Sequence, residues 1–372
     1  MEPRSFETDS SGLGGEGQGQ SSTNRAVRVA VLWTHPSGYL LSSMRALMDC
    51  GVQLFLHIQR VGVDAPFSEL NELAGCVITV YDDSPDETSL EAALRSFDPE
   101  IILSSWHVPA FRRICKRARG TSVTIGCADN QWRGTIRQWA GVLLARRLLR
   151  EPYSMILVAG ARQCVWARQM GFRDDEIMMG LYACDTSVFA PSPFGGACAD
   201  PAFTFVGRLV PEKGVKYLKL AYQQYRGSVK EPWNLNIIGS GSMEAIFRDV
   251  VGVNIMGFLQ PSALSKVLSQ TSCFVMPSVY EPWCVGIHEA AAVGLPIVCT
   301  SECGASIHLV HNEYNGFVVP AGSVDQLASA LARMSSLSAA RRLQMRNGSL
   351  VLASQFTPKR FAEQVLSVLG RH

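Results

Sequence analysis

The stretch C-F-V-M-P-S-V-Y-E-P-W-C-V-G-I-H-E-A-A-A-V-G-L-P-I-V-C-T (273–300) has the clearest indication of the fold. An apolar run of strand length ends at Pro277, an irregular turn carries Glu281, and an Ala-rich helical pattern leads into a second apolar run. Buried strands that alternate with helices are typical of a parallel sheet covered on both faces. The turn is therefore predicted at the carboxyl end of a strand, where such sheets bind ligands.

The same alternation extends along most of the chain. Short apolar runs of the first half lie at 28–33, 52–58, 76–81, 101–105, 122–127, 154–160 and 176–180. Those of the second half lie at 202–207, 235–239, 254–258, 273–277, 296–300 and 316–320. Its predicted helices span 214–228, 242–250, 261–270, 285–293, 324–336 and 338–354. The fold class is therefore α/β, with two Rossmann-like doubly wound domains that face a central cleft.

A Pro- and Gly-rich stretch, A-P-S-P-F-G-G-A-C-A-D-P (190–201), separates the two series and reads as a linker. The predicted organisation comprises five parts. They are a disordered tail (1–25), an N-terminal Rossmann-like domain (26–190), the linker (191–201), a C-terminal Rossmann-like domain (202–355) and a C-terminal helix that packs back toward the first domain (356–372).

Composition narrows the class of protein. A net charge of +2 argues against a nucleic-acid binder, which would carry a strongly basic domain. No stretch of about twenty apolar residues occurs, and no signal peptide is evident at the N-terminus. The eleven cysteines include no C-x-x-C pair and fit reduced thiols better than a disulfide framework. We expect a cytoplasmic protein.

Two glutamates in the opening stretch are candidates for sugar binding. Glu281 precedes the helix and Glu289 lies within it, at the spacing E-x7-E. Free N–H groups at the helix start can bind a diphosphate, and Gly286 lets backbone approach a ligand closely. One carboxylate can then face a sugar and the other a ribose diol. Alternatively, both are ordinary solvated carboxylates.

A second motif, F-V-G-R-L-V-P-E-K-G-V (205–215), follows the first strand of the second half. Arg208 and Lys213 can converge on a leaving diphosphate and neutralise its developing charge. The alternative is a basic surface loop, although Gly207 and Gly214 beside the two cations favour a functional loop.

Together these segments resemble the retaining glycosyltransferases of the GT-B fold, specifically glycosyltransferase group 1 (family 4). The matching elements are G-R-L-V-P-E-K-G, I-I-G-S-G-S (237–242), G-F-L (257–259), S-V-Y-E-P-W with Glu289, G-L-P-I-V (294–298) and N-G-F-V-V-P-A-G (315–322). The resemblance covers residues 200–335 in order and spacing. It implies transfer of a hexosyl group from a nucleotide diphosphate sugar, without cofactor or metal, by front-face attack.

The resemblance also implies that the domain at 26–190 binds the acceptor and the domain at 202–355 the donor, and it implies roles for individual residues. Arg208 and Lys213 would contact the diphosphate, Glu281 the transferred sugar and Glu289 the ribose. The full set of donor-binding residues is Gly38, Gly207, Arg208, Lys213, Gly239, Gly257, Phe258, Glu281, Trp283, Cys284, Val285, Gly286 and Glu289. The sequence departs from the family at Cys284, where Gly is usual, and at His288, where an aliphatic residue is usual.

The first half supplies two candidate histidines. I-I-L-S-S-W-H-V-P (101–109) resembles the family strand whose histidine hydrogen-bonds the transferred sugar, so His107 is the fourth catalytic candidate with Glu281, Arg208 and Lys213. His35, in T-H-P-S-G-Y (34–39), is the rival, since a histidine after the first strand acts as general base in inverting GT-B enzymes. The turn that ends at Gly38 can approach the donor phosphate or the acceptor.

A basic, Trp-containing segment lies at 128–150. Its first residues are the predicted acceptor-binding set, Asp129, Asn130, Trp132 and Arg133. Residues 132–150 can bind an acceptor phosphate or lie on an anionic membrane at the cytosolic face as a peripheral contact. The remaining alternative is a solvated Arg face over a buried Leu face.

The predicted function is thus retaining, metal-independent hexosyl transfer to an acceptor hydroxyl. The acceptor is a saccharide or a lipid-linked saccharide in polysaccharide, glycan or glycolipid assembly. Two other classes stay open: a GT-B sugar-nucleotide epimerase or hydrolase, and a non-catalytic nucleotide-sugar-binding module.

Overall fold

The computed structural model of the protein describes residues 25–60, 73–191 and 201–371. The predicted tail (1–25) lies outside these residues except for Arg25. The predicted linker (191–201) lies outside them except for its two end residues.

The first sheet is built by the chain that follows Arg25. Its strands among the described residues are β1 (Arg28–Trp33), β2 (Gln53–Gln59), β3 (Val77–Tyr81), β4 (Ile101–Ser105), β5 (Val123–Ala128), β6 (Met155–Val158) and β7 (Ile177–Met179). They pair in the order β3-β2-β1-β4-β5-β6-β7, and all are parallel. The helices of this part are α1 (Gly38–Asp49), α2 (Glu87–Phe97), α3 (Pro109–Ala118), α4 (Ile136–Arg150) and α5 (Ala161–Gln169).

The second sheet repeats the design. Its strands are β8 (Ala202–Val206), β9 (Asn234–Ile238), β10 (Val253–Gly257), β11 (Cys273–Met276), β12 (Ile297–Thr300) and β13 (Gly316–Val319). Their order is β10-β9-β8-β11-β12-β13, again all parallel. The helices are α6 (Val215–Ser228), α7 (Pro261–Ser269), α8 (Val285–Ala292), α9 (Ser306–Leu309), α10 (Val324–Ser336), α11 (Ala339–Ala353) and α12 (Pro358–Leu366). The two doubly wound α/β units predicted from the sequence are therefore confirmed.

The helix predicted at 242–250 is wrong. The structure has only a short 3-10 turn there, Glu244–Phe247. The N–H of Met243 donates to the carbonyl oxygen of Leu209 at 2.9 Å, which ties the segment to the loop after β8. Asp249 has a left-handed backbone (φ 65°), which an α-helix cannot continue through.

The last helix packs on the first sheet. Phe361, Ala362 and Val365 of α12 are buried in the same apolar cluster as Leu40 and Met44 of α1. The C-terminus thus returns from the second sheet to the first, which fastens the two halves together by apolar burial.

Each sheet reverses its strand order at one place, between β1 and β4 in the first and between β8 and β11 in the second. The loops that leave these strand ends diverge to opposite faces and leave a crevice between them, which is where open α/β sheets bind ligands. The predicted His107 follows β4, Arg208 follows β8 and Glu281 follows β11. Parallel pairing therefore brings the predicted residues to the two switch points.

Candidate functional site

The loop after β8 is fastened to the loop after β11 by backbone contacts. The carbonyl oxygen of Glu212 accepts hydrogen bonds from the N–H of Val279 (2.9 Å) and of Tyr280 (3.3 Å). Gly214 has φ 68°, and a Cβ built on it would lie 2.0 Å from the carbonyl oxygen of Pro277. Only glycine can meet both conditions, so Gly214 allows the close approach of the two loops.

This approach joins two of the predicted catalytic residues. The Lys213 ammonium donates to Glu281 Oε2 in an ion pair, and the two side chains are 18% and 11% exposed. Burial acts to lower the pKa of Lys213, but the charge of the Glu281 carboxylate and the hydrogen bond to it outweigh burial, so the pKa is raised. Lys213 therefore stays charged in the cleft.

Arg208 lies on the same loop but in a different environment. Its side chain is 71% exposed and is 3.4 Å from the Glu212 carboxylate, an exposed pair that stabilises little. The guanidinium can therefore leave Glu212 for a stronger anion at low cost.

The contact at Gly214 leads to the first prediction. Gly214→Ala is expected to lower the free energy of unfolding by more than about 3 kcal/mol, because the new methyl group meets the Pro277 backbone in a left-handed conformation. Chemical denaturation measures the change. Gly227→Ala in α6, where a Cβ meets nothing within 4 Å, serves as the control and should not destabilise. Equal stability of Gly214→Ala and wild type would refute the close contact.

Three predicted glycines meet at the carboxyl ends of β8, β9 and β10. A Cβ on Gly239 would lie 2.1 Å from the Gly207 carbonyl oxygen, and the Gly239 N–H donates to the Gly257 carbonyl at 2.7 Å. Phe258, the residue after Gly257, is 52% exposed. These glycines form a surface of backbone without side chains. The aromatic ring of Phe258 beside it can stack on a planar group.

The start of α8 combines free N–H groups with an unusual backbone. Among the described residues, no partner is recorded for the N–H groups of Cys284, Val285 and Gly286, which can therefore bind an anion. Cys284 has φ 87°, the left-handed region that favours glycine. Glycine would adopt this conformation at a lower cost than cysteine does.

The second departure from the family, His288, lies away from solvent. Its ring is 1% exposed and packs edge-on to Phe356 at a centroid distance of 6.1 Å. Burial lowers its pKa to about 4, so the imidazole is neutral. His288 therefore fills the core behind α8.

The side chain of Trp283 points into the junction between the two halves. It is 2% exposed and packs against Phe356 (5.4 Å) and His308 (5.9 Å between ring centroids). A Cβ on Gly160 would lie 2.6 Å from its ring. Only the backbone of Trp283 is thus left for the predicted donor contact.

Three residues that the sequence analysis missed hold this junction. Gln131 donates to the carbonyl oxygens of Glu281 (3.1 Å) and Pro282 (2.9 Å), and Gln163 donates to Pro282 (2.6 Å). The Nε2 of His308 accepts from the N–H of Ala161 at 2.9 Å. Buried glutamines carry no pattern of their own in a sequence. Only the position of Gln131 between the predicted Asn130 and Trp132 could have indicated it.

Glu289 lies on α8 with its carboxyl group largely surrounded by protein. No ion pair or hydrogen bond to a described residue is recorded for it, and burial raises its pKa to about 7. An unpartnered carboxyl in a cleft is available to accept hydrogen bonds from a diol.

This raised pKa predicts a pH-dependent stability. Because the native state holds the Glu289 proton more tightly than the unfolded chain, the stabilisation is fully present below about pH 4.5 and is lost as the pH rises through about 7. The free energy of unfolding of Glu289→Gln, measured relative to that of wild type, is therefore expected to rise by up to about 3 kcal/mol from acidic to alkaline pH. Denaturation at several pH values tests this, with exposed Glu231→Gln as the control. A pH-independent difference would contradict it.

The two candidate histidines lie near each other. His107 follows β4, and its pKa is lowered by burial, partly restored by the charge of Asp129 and lowered again by Arg112 and His35. His35 is exposed after β1. Both histidines therefore lie at the switch point of the first sheet.

The predicted acceptor residues fall into two groups, the partly buried Asp129 and Asn130 and the more peripheral Trp132 and Arg133. Asp129 accepts a hydrogen bond from the Tyr182 hydroxyl at 2.9 Å, and Asn130 follows it, partly buried. Trp132 packs edge-on to Trp139, and the guanidinium of Arg133 lies 5.2 Å from the centre of the Tyr280 ring. Arg133 therefore bridges from the first half to the loop that carries Glu281.

Comparison with known proteins finds sequence similarity to glycosyltransferases over part of the chain. Residues 198–349 match the family model for glycosyl transferases group 1. An uncharacterized glycosyltransferase of Methanocaldococcus jannaschii is 29% identical over 44% of this chain and 43% of its own. The putative colanic acid biosynthesis glycosyltransferase WcaL of Escherichia coli is 27% identical over 46% of each chain. The alignments thus span less than half of either relative.

The structural likeness is more extensive. A crystal structure of the HepE protein of Anabaena in complex with UDP superposes with a TM-score of 0.74, covering 93% of this chain and 100% of that chain at 16% identity. Such low identity establishes the fold alone. The chain therefore has the GT-B fold, and its residues 198–349 are similar to the glycosyl transferases group 1 family.

Proposed function

We propose that this protein transfers a hexosyl group from a nucleotide diphosphate sugar to an acceptor hydroxyl, with retention of anomeric configuration. The observation that carries the proposal is the buried Lys213–Glu281 pair at the β8/β11 switch point, beside the unpartnered N–H groups that begin α8. A cation, a carboxylate and an anion-binding helix start in one crevice suit a sugar joined to a diphosphate.

Each element has a role in this reaction. Lys213, Arg208 and the start of α8 would stabilise the departing diphosphate without a metal, because their positive charge is already in place as negative charge develops. Glu281 would accept hydrogen bonds from the sugar and Glu289 from the ribose. The departing phosphate would take the acceptor proton, so no protein carboxylate needs to attack the anomeric carbon.

The relatives support a nucleotide-sugar donor and a role in glycan assembly. The name of the WcaL relative connects it to colanic acid biosynthesis, and the HepE structure contains UDP. We infer that the donor is a nucleotide sugar and that the acceptor is a saccharide or a lipid-linked saccharide in glycan assembly. An epimerase, a hydrolase or a non-catalytic module is the alternative.

A sequential experiment tests the proposal. Thermal-shift screening against UDP-, GDP-, ADP- and TDP-sugars identifies the donor, and release of nucleotide diphosphate is then measured with and without saccharide acceptors in the presence of EDTA. We expect acceptor-dependent release and a product whose anomer matches that of the donor by NMR. Release without acceptor would indicate a hydrolase, an isomerised donor an epimerase, and binding without turnover a non-catalytic module.

A further inference from the structure

The outward face of α4 carries several large apolar side chains. Ile136, Leu143 and Leu144 are 89%, 83% and 83% exposed, and Trp139 and Leu148 are at least half exposed. Val142 of the same helix, by contrast, is buried. The alternative of a solvated Arg face over a buried Leu face is therefore wrong. We call the five exposed side chains, Ile136, Trp139, Leu143, Leu144 and Leu148, the α4 patch.

Soluble surfaces seldom expose a contiguous apolar group of this kind without a partner. On an α-helix of about 3.6 residues per turn, Ile136 and Leu143 lie two turns apart on one line. Leu144 and Leu148 are neighbours one turn apart, and Trp139 borders Leu143 from the other side. The patch is thus one surface along the length of the helix.

Positively charged side chains lie among and beside the apolar side chains of the patch. Arg137 and Arg146 are exposed, and neither is recorded in an ion pair with a described residue. Arg147 and Arg150 are paired with Glu151 and Glu176. No Asp or Glu occurs from 130 to 150. The surroundings of the patch therefore favour an anionic partner.

We propose that α4 docks on an anionic lipid surface, with the α4 patch in the headgroup–acyl boundary and Arg137 and Arg146 on lipid phosphates. A basic helix with several exposed apolar side chains, among them a Trp, is suited to this boundary, because long arginine side chains can reach the phosphates while the apolar groups insert. No helix in the described part of the chain is long and apolar enough to cross a membrane, so the contact is peripheral. A second copy of the chain fits less well, because a two-fold contact through α4 brings the arginines of both copies together.

The docking surface is continuous with the cleft rim. Gln131, five residues before α4, hydrogen-bonds the backbone of Glu281 and Pro282, and Arg133 lies over the Tyr280 ring. Docking through α4 therefore brings this rim toward the lipid surface. The proposal concerns a binding surface and does not depend on sugar transfer.

Vesicle co-sedimentation of the full chain tests the proposal without donor or acceptor. We expect binding to vesicles of phosphatidylglycerol and phosphatidylcholine in equal parts, and much weaker binding to phosphatidylcholine alone. Leu143→Gln/Leu144→Gln should weaken partitioning by at least about tenfold. Arg137→Gln/Arg146→Gln should weaken it on the order of thirtyfold at low salt, from about 1 kcal/mol per arginine.

The control variants alter similar side chains elsewhere. Leu343→Gln/Val351→Gln changes two exposed apolar residues of α11, and Lys230→Gln/Lys266→Gln removes two exposed cations of the second half. Both should bind vesicles like wild type. Because all the altered side chains are exposed, melting temperatures should stay close to that of wild type and show that a loss of binding is not unfolding.

Three results would overturn the proposal. One is absence of vesicle binding by a folded wild type. Another is a loss of binding in the arginine variant but not in the leucine variant, which would indicate a phosphate-binding groove. The third is a concentration-dependent dimer in sedimentation velocity that Leu143→Gln/Leu144→Gln abolishes, which would assign the patch to a second copy. None of these results bears on donor turnover, which is measured separately with soluble substrates.

Discussion

Replacing Lys213 by methionine is expected to lower kcat/KM for sugar transfer by about a thousandfold. The ammonium lies in a largely buried ion pair with Glu281, where its charge is weakly screened by solvent. Methionine keeps most of the side-chain volume and removes the charge. The loss should appear mainly in kcat, because the leaving diphosphate gains charge in the transition state.

Steady-state kinetics with the identified donor and acceptor measure the effect. Lys230→Met, which removes an exposed cation of the same half, is the control and should retain full activity. Since Lys213→Met leaves Glu281 buried without its cation, its melting temperature should also fall. Circular dichroism at the assay temperature verifies that the variant is folded. Full turnover by a folded Lys213→Met would mean that the donor site has been assigned to the wrong residues.

His107→Ala is expected to lower kcat about a hundredfold, whereas His35→Ala changes it little. His107 follows β4, at the first-sheet switch point. In the proposed reaction its imidazole would hydrogen-bond the transferred sugar. Burial lowers its pKa, so the neutral ring is the form present above mildly acidic pH. Loss of the imidazole should mis-position the sugar for attack.

The product anomer makes this comparison decisive. A retained anomer with a large effect at His107 supports front-face attack. An inverted anomer, together with a large effect of His35→Ala, would instead identify His35 as general base and exclude the role of His107. The structure places the two histidines close enough for their charges to interact, so kinetics must distinguish them.

The two parallel sheets could be predicted because each strand has its own local pattern. Apolar runs such as 101–105 and 273–277 correspond to β4 and β11 to within a residue. The helix predicted at 242–250 failed for the opposite reason. Its sequence permits a helix, but the hydrogen bond from Met243 to Leu209 of a distant loop takes precedence over local preference.

The candidate site divides in the same way. Glu281, Lys213 and the glycines were predicted because motifs place them at strand ends. Gln131 and Gln163 were missed because their importance comes from partners on the opposite half of the chain, more than a hundred positions away. The buried side chain of Trp283 likewise depends on Gly160 and Phe356.

Three features could be predicted from local patterns: the parallel sheets, the strand ends that carry the candidate residues, and the basic character of the segment at 132–150. These properties follow from periodicity, glycine placement and charge, which are local. Three other features are evident only from the tertiary structure: Lys213 pairs with Glu281, His288 is a core residue, and leucines of α4 face outward. Those outcomes depend on which surfaces meet, and burial against distant residues is a property of the packed chain rather than of any segment in it.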